Sequence, residues 1–194
     1  MRVAIGLVVL LLAPLAHADA GRRQVEAYGL DPELVPAECQ SVVTGTRMGA
    51  RISVANCISH LALDGIDLDD SLDSVAKLNR AVRFADELLG SVITCGTPTE
   101  RAEALRAQAD QYAGMVARMR RTAAFLIWHV TGVALERAQE QHDNIEAAIA
   151  PWVETARTDD DMILRIAHAH PEVQRDPVAK IAVDAAIRVV TARR

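Results

Sequence analysis

The sequence predicts an all-α protein, an antiparallel helical bundle of about four main helices with short helices at its C-terminal end. Two observations carry that prediction. The 194-residue chain is 51% hydrophobic but only 3% aromatic. Such an Ala-, Leu- and Val-rich composition suits close-packed helices better than a β-sandwich, whose strands favour Val, Thr, Tyr and Phe. Apolar residues also recur at steps of three and four through two long stretches that meet at a helix-stop and a helix-start signal.

The chain opens with one basic residue, Arg2, then the apolar run Val3 to Leu12, then Pro14 and the small-x-small triplet Ala16-His17-Ala18. A basic lead, a short apolar core and a small-residue cleavage site make residues 1–18 a secretory signal peptide by pattern. Val3 to Leu15 is too short for a bilayer core of about 30 Å, which needs about 20 residues. Export to the periplasm or the cell exterior is expected, with roughly 175 residues left to bury one ordinary core. Residues 19–35, broken by Gly29 and Pro32, read as a lead-in, and residues 36–194 as a single helical-bundle domain. The next most apolar stretch, Ala123 to Val130, contains His129 and is followed by Thr131-Gly132, so no membrane span is expected in the mature chain.

Pro36 suits a first helical turn, where its missing N–H is not needed. A first helix is expected from there to about Leu63, burying Cys39, Val42, Val43, Met48, Ile52, Ala55, Ile58 and Leu61, with Gly45 and Gly49 weakening its middle. The acidic stretch Asp64 to Asp69 reads as a loop. Asp70-Ser71-Leu72-Asp73 then caps a second helix whose stripe is Val75, Leu78, Val82, Ala85, Leu89 and Val92, ending at Cys95-Gly96. Thr97-Pro98-Thr99-Glu100 is a capping box with proline at the first helical position. It opens a third helix with Leu105, Ala109, Tyr112, Val116, Met119, Ala123, Leu126 and Val130 in heptad spacing. Two such stripes joined by so tight a turn specify an antiparallel hairpin.

A straight helix from Pro98 to Ala150 would be roughly 80 Å long, with its middle left uncovered. A break near Gly132 and a fourth helix folding back is the expected solution. Pro151 is read as an end or bend of that helix, and Asp159-Asp160-Asp161 as the cap of a short helix reaching His168. Pro171 and Pro177 bracket a link, and Val178 to Val190 forms a last helix with Ile181, Ala182, Ala185 and Val189 inward.

An oxidising destination permits disulfides. If the chain turns near residue 67, Cys39 lies level with Cys95, while Cys57 sits mid-helix level with Lys77. The expected bridge is therefore Cys39–Cys95, with Cys57 a small core residue. Three reduced cysteines are the alternative.

The formal net charge of −5 argues against nucleic acid, which demands a concentrated basic surface, and against attraction to anionic lipids. The aspartates at 64, 67, 69, 70 and 73 lack EF-hand spacing, and two of them are explained by helix capping. His168 and His170, and the three residues Glu140, His142 and Asp143 taken together, do not gather on one helical face, and HExxH and Glu-x-x-His pairs are absent from the sequence. Neither a metal site nor a cofactor site is expected. The sequence contains no GxSxG and no phosphate-cradling glycine loop. Arg118, Arg120 and Arg121 read as a solvated face. These features lean away from an enzyme and toward a binding, chaperone-like or scaffolding protein of the cell envelope. Its partner would be another envelope or secreted protein. A patch of Phe125, Trp128 and Leu135, where the third helix outruns its cover, is the candidate interaction surface. The rival classes are a metal- or cofactor-carrying bundle and an enzyme whose site is dispersed along the chain.

Overall fold

The computed structural model describes residues 20–64, 72–128 and 133–193; the side chains of 72–78, 122–123, 125–128 and 133 fall outside that description. Residues 1–18, expected as a signal peptide, and nearly all of the expected loop Asp64 to Asp69 lie outside it as well. Every regular element among the described residues is helical. They are α1 (residues 20–27), a 3-10 turn Ala37–Val42, α2 (Arg47–Asp64), α3 (Leu72–Cys95), α4 (Pro98–Trp128), α5 (Val133–Ala169) and α6 (Pro177–Ala192).

The α3–α4 hairpin forms as its stripes require. Leu89, Val92 and Leu105 are fully buried, and Val82, Ala85, Ala109 and Val116 are buried with them. The capping box is complete: Thr97 N–H donates to Glu100 Oε2 at 2.9 Å, and Glu100 N–H donates to Thr97 Oγ1 at 3.3 Å. The Thr97 N–H, with the Thr97 and Thr46 hydroxyls that also donate to it, holds the Glu100 carboxyl below its ordinary value. Gly96 is kept small by contact, since a Cβ there would meet the Val92 carbonyl at 2.6 Å.

The expected first helix is two pieces. It breaks between the 3-10 turn and α2, where Gly45 takes a positive φ of 81°, a conformation costly for residues with a Cβ. Thr46 then caps α2, accepting Gly49 N–H at 3.0 Å. The break folds the 3-10 turn back along α2, and the Tyr28 hydroxyl donates to the Gly45 carbonyl at 3.1 Å. This corrects the cysteine pairing. Cys39 is bonded to Cys57, with their Cα atoms 5.7 Å apart, while Cys95 is free and exposed. The expected Cys39–Cys95 bridge required a single rod carrying Cys39 to the far end of the bundle, and the turn at Gly45 shortens that reach. Leu61, expected inward, is 41% exposed.

α4 and α5 run antiparallel, because Arg106 pairs with Asp160 and Arg120 with Glu146, in reverse order along the two helices. α5 is continuous through both expected boundaries. Pro151 sits on its exposed side, where the carbonyl deprived of a donor faces water. Asp159 and Asp160 are not caps; both are buried inside the bundle. α6 begins where Asp176 Oδ1 accepts from Val178 N–H and Ala179 N–H, both at 2.9 Å. Its inward face is Ala179, Ala182, Val183 and Ala186; the expected Ala182 is on it, Ala185 and Val189 are half-buried, and Ile181 is 66% exposed. Close helix contact takes the small residues and leaves Val178, Ile181 and Ile187 outside.

Two cores result, and α4 belongs to both. One gathers Val25, Leu30, Val35, Cys39, Val43, Val54, Ile58, Leu89 and Val92 against Ala104 and Ala107 of α4. The other packs Ala102 and Leu105 of α4 against Ile163, Ile166, Ala167, Val173, Ala179, Val183 and Ala186.

Candidate functional site

Between the cores, α4 carries a row of polar side chains that a buried helix must satisfy. Gln111 is buried; its Oε1 accepts from the Ser59 hydroxyl of α2, which shares its proton with the Ala55 carbonyl at 2.8 Å. Gln111 Nε2 donates to Asp86 Oδ1 of α3 at 2.9 Å, and the Tyr112 hydroxyl donates to Asp86 Oδ2 at 2.7 Å. Burial and this hydrogen bond push the Tyr112 phenol up, so it stays protonated.

One turn earlier, Arg106 Nε donates to Asp110 Oδ2 at 2.9 Å and Nη1 to Asp160 Oδ1 at 3.1 Å. The other oxygen of Asp160 accepts from Arg193 Nη2 at 3.0 Å. One carboxylate, 2% exposed, thus joins α4, α5 and the end of α6. Burial lifts the Asp160 carboxyl above its ordinary value, against the two guanidiniums that favour its charged form. Its neighbour Asp159 is 4% exposed, and its Oδ2 is buried without a hydrogen-bond partner. Burial, then the charges of Asp160 and Asp86, push the Asp159 carboxyl up to about 7.

Beside this knot lies a cleft of about 510 Å³ between α4, α5 and α6, within the usual size range of small-molecule sites. Ala109, Ala113, Val116, Trp152, Val153 and Val189 give it apolar walls, and Arg106, Arg120, Arg157, Arg193 and Asp160 its charged ones. The carboxylates that pair with Arg120 and Arg157, Glu146 at 2.9 Å and Glu154 at 3.7 Å, do not line the cleft. Arg106 also lines a smaller cleft on its other side, with Ile52, His60, Glu103 and Ile181. Asp159 lines neither.

Of the residues singled out from sequence, Cys39 is in a disulfide and Cys95 is exposed. Leu135 is 41% exposed, while the Phe125 and Trp128 side chains lie outside the described residues. Among the described residues no group of three or more His, Cys, Asp or Glu is placed to hold a metal ion, and no helix is long and apolar enough to cross a membrane. Sequence reading missed Arg106, Asp160 and Arg193. A signal was present, because Asp159 and Asp160 interrupt an apolar stripe through Trp152, Ala156, Ile163 and Ala167. No protein-family model, no curated protein and no solved structure matches the chain.

Proposed function

We propose that this is an exported, non-enzymatic binding protein of the cell envelope, with the cleft between α4, α5 and α6 as its ligand seat. The observation that carries the reading is the cleft itself, apolar along its walls and lined by four arginines and one aspartate. Apolar walls with a few convergent polar groups are the general form of a small-molecule site. Asp159, the buried carboxyl pushed up to about 7, does not line the cleft, which favours binding there over catalysis by that group.

Native, non-reducing mass spectrometry of the protein recovered from its host's envelope tests this. The expected mass is that of the chain from about Asp19 less two hydrogens, plus an adduct released on denaturation. Filling the cleft with Ala113→Phe should remove the adduct. An adduct retained by that variant would place the ligand elsewhere. A mass that includes residues 1–18 would refute export.

A further inference from the structure

We propose that the ligand is a single-tailed anionic amphiphile, its tail along the Ala109–Ala113–Val116–Trp152 wall and its head group held by Arg193 and Arg157. The inference rests on the cleft being the binding site and goes further by assigning the chemistry. The apolar wall gives a tail somewhere dry to lie, and its alanines leave the width for it. Charge complementarity selects the head. Arg157 is held by Glu154 at 3.7 Å in a pair whose side chains are 54% and 71% exposed, an interaction worth little against water. Arg193 gives Nη2 to Asp160, and a guanidinium's fork of five donors can hold one carboxylate and meet a second. A cationic head would instead meet a lining of four arginines with Asp160 as its single carboxylate, already shared by Arg106 and Arg193. A neutral head would forgo the charge-assisted hydrogen bonds the arginines can make.

Trp152 lines the cleft and reports on it. In a Trp128→Phe background, where Trp152 is the remaining tryptophan, its fluorescence is titrated with three twelve-carbon probes below their micelle concentrations. They are dodecanoate, dodecyl maltoside and dodecyltrimethylammonium. Dodecanoate should give a saturable 1:1 change and bind at least about tenfold more tightly than the other two. Arg193→Gln should weaken dodecanoate by about tenfold and leave the maltoside unchanged. Because Arg193 also touches Asp160, Arg157→Gln provides a second test at an exposed position and should act in the same direction.

Equal binding of dodecanoate and maltoside, indifferent to both arginine variants, would overturn the anionic assignment while leaving the cleft as a binding site. Failure of every probe to perturb Trp152 would overturn both. Sedimentation as a dimer that Ala113→Phe converts to monomer would put a second copy of the chain in the cleft and overturn the amphiphile.

Discussion

The two cores that share α4 are closed by different means. The N-terminal one wraps α1, the 3-10 turn, α2 and α3 around large aliphatic side chains and is stapled by Cys39–Cys57. The C-terminal one brings α5 and α6 onto α4 through a smaller cluster in which Leu105, Ile163, Ile166, Val173 and Val183 pack with four alanines, and adds the Arg106–Asp160–Arg193 knot. A covalent staple closes one half irrespective of pH and salt. Charges close the other reversibly, and the cleft lies in that half, beside the knot. Buried ion pairs are poor sources of net stability but strong penalties when one member is lost, so the knot fixes the register of three helices more than it strengthens them.

The largest effect separating the halves should come from Arg106→Ala. It leaves Asp160 buried with Arg193 as its remaining partner among these three helices, and removal of one member of a buried pair typically costs about 3–5 kcal/mol. Urea unfolding should record that loss. Amide hydrogen exchange should place the added opening in α6 and the second half of α5, sparing α2 and α3. Equal acceleration in both halves would mean that the molecule opens as one unit, and the comparison would fail.

Cutting the staple should have the next largest effect and the opposite location. Replacing Cys39 and Cys57 by alanine opens a loop with a sequence separation of 18, which corresponds to about 3 kcal/mol in the chain-entropy account. Exchange should rise first in α1 and the 3-10 turn. Cys95→Ser, at an exposed free thiol, should stay within about 0.5 kcal/mol of the parent. Recovery of a Cys95-containing disulfide peptide from the native protein would refute the pairing.

The same division runs through what the sequence reveals. Features written in one segment were legible. The helix-start at Thr97-Pro98-Thr99-Glu100, the stripes of α3 and α4, and the need to fold back near Gly132 all follow from residues within a few turns of each other. Features decided by tertiary contact were not. Gly45 was visible, but whether it weakens a helix or ends one depends on Tyr28 and the 3-10 turn docking across it. On that choice hung the partner of Cys39. The Asp159–Asp161 run has the composition of a cap, and its burial depends on Arg106 and Arg193, respectively 54 and 33 residues from Asp160. Along α6 the polar row Lys180, Asp184 and Arg188 marks the outer side and leaves Ala179, Ala182, Val183 and Ala186 away from it. This inward face was legible in the segment itself, and the expectation that placed Ile181 inward did not follow that row.

A smaller, pH-dependent effect tests the ion-paired half beside the knot. Asp159 is ionised at high pH in a place that offers its Oδ2 no donor, beside Asp160 and near Asp86. Its folded-state value of about 7 lies above the ordinary 3.8, so between these values the folded protein holds a proton that the unfolded chain releases. Stability from this group is therefore greatest at low pH, falls as pH rises from about 4 to about 7, and is flat above. Asp159→Asn removes the charge and gives the orphan position an amide donor facing carboxylates. It should stabilise the protein by about 1–3 kcal/mol at pH 8 and by little at pH 4. The difference between variant and parent should grow through that window in paired urea titrations. A variant less stable than the parent at pH 8 would mean that the Asp159 carboxylate is held by a donor when charged. The ion-paired half would then gain from this charge, and its reversibility would have to come from Asp160 and its two arginines alone.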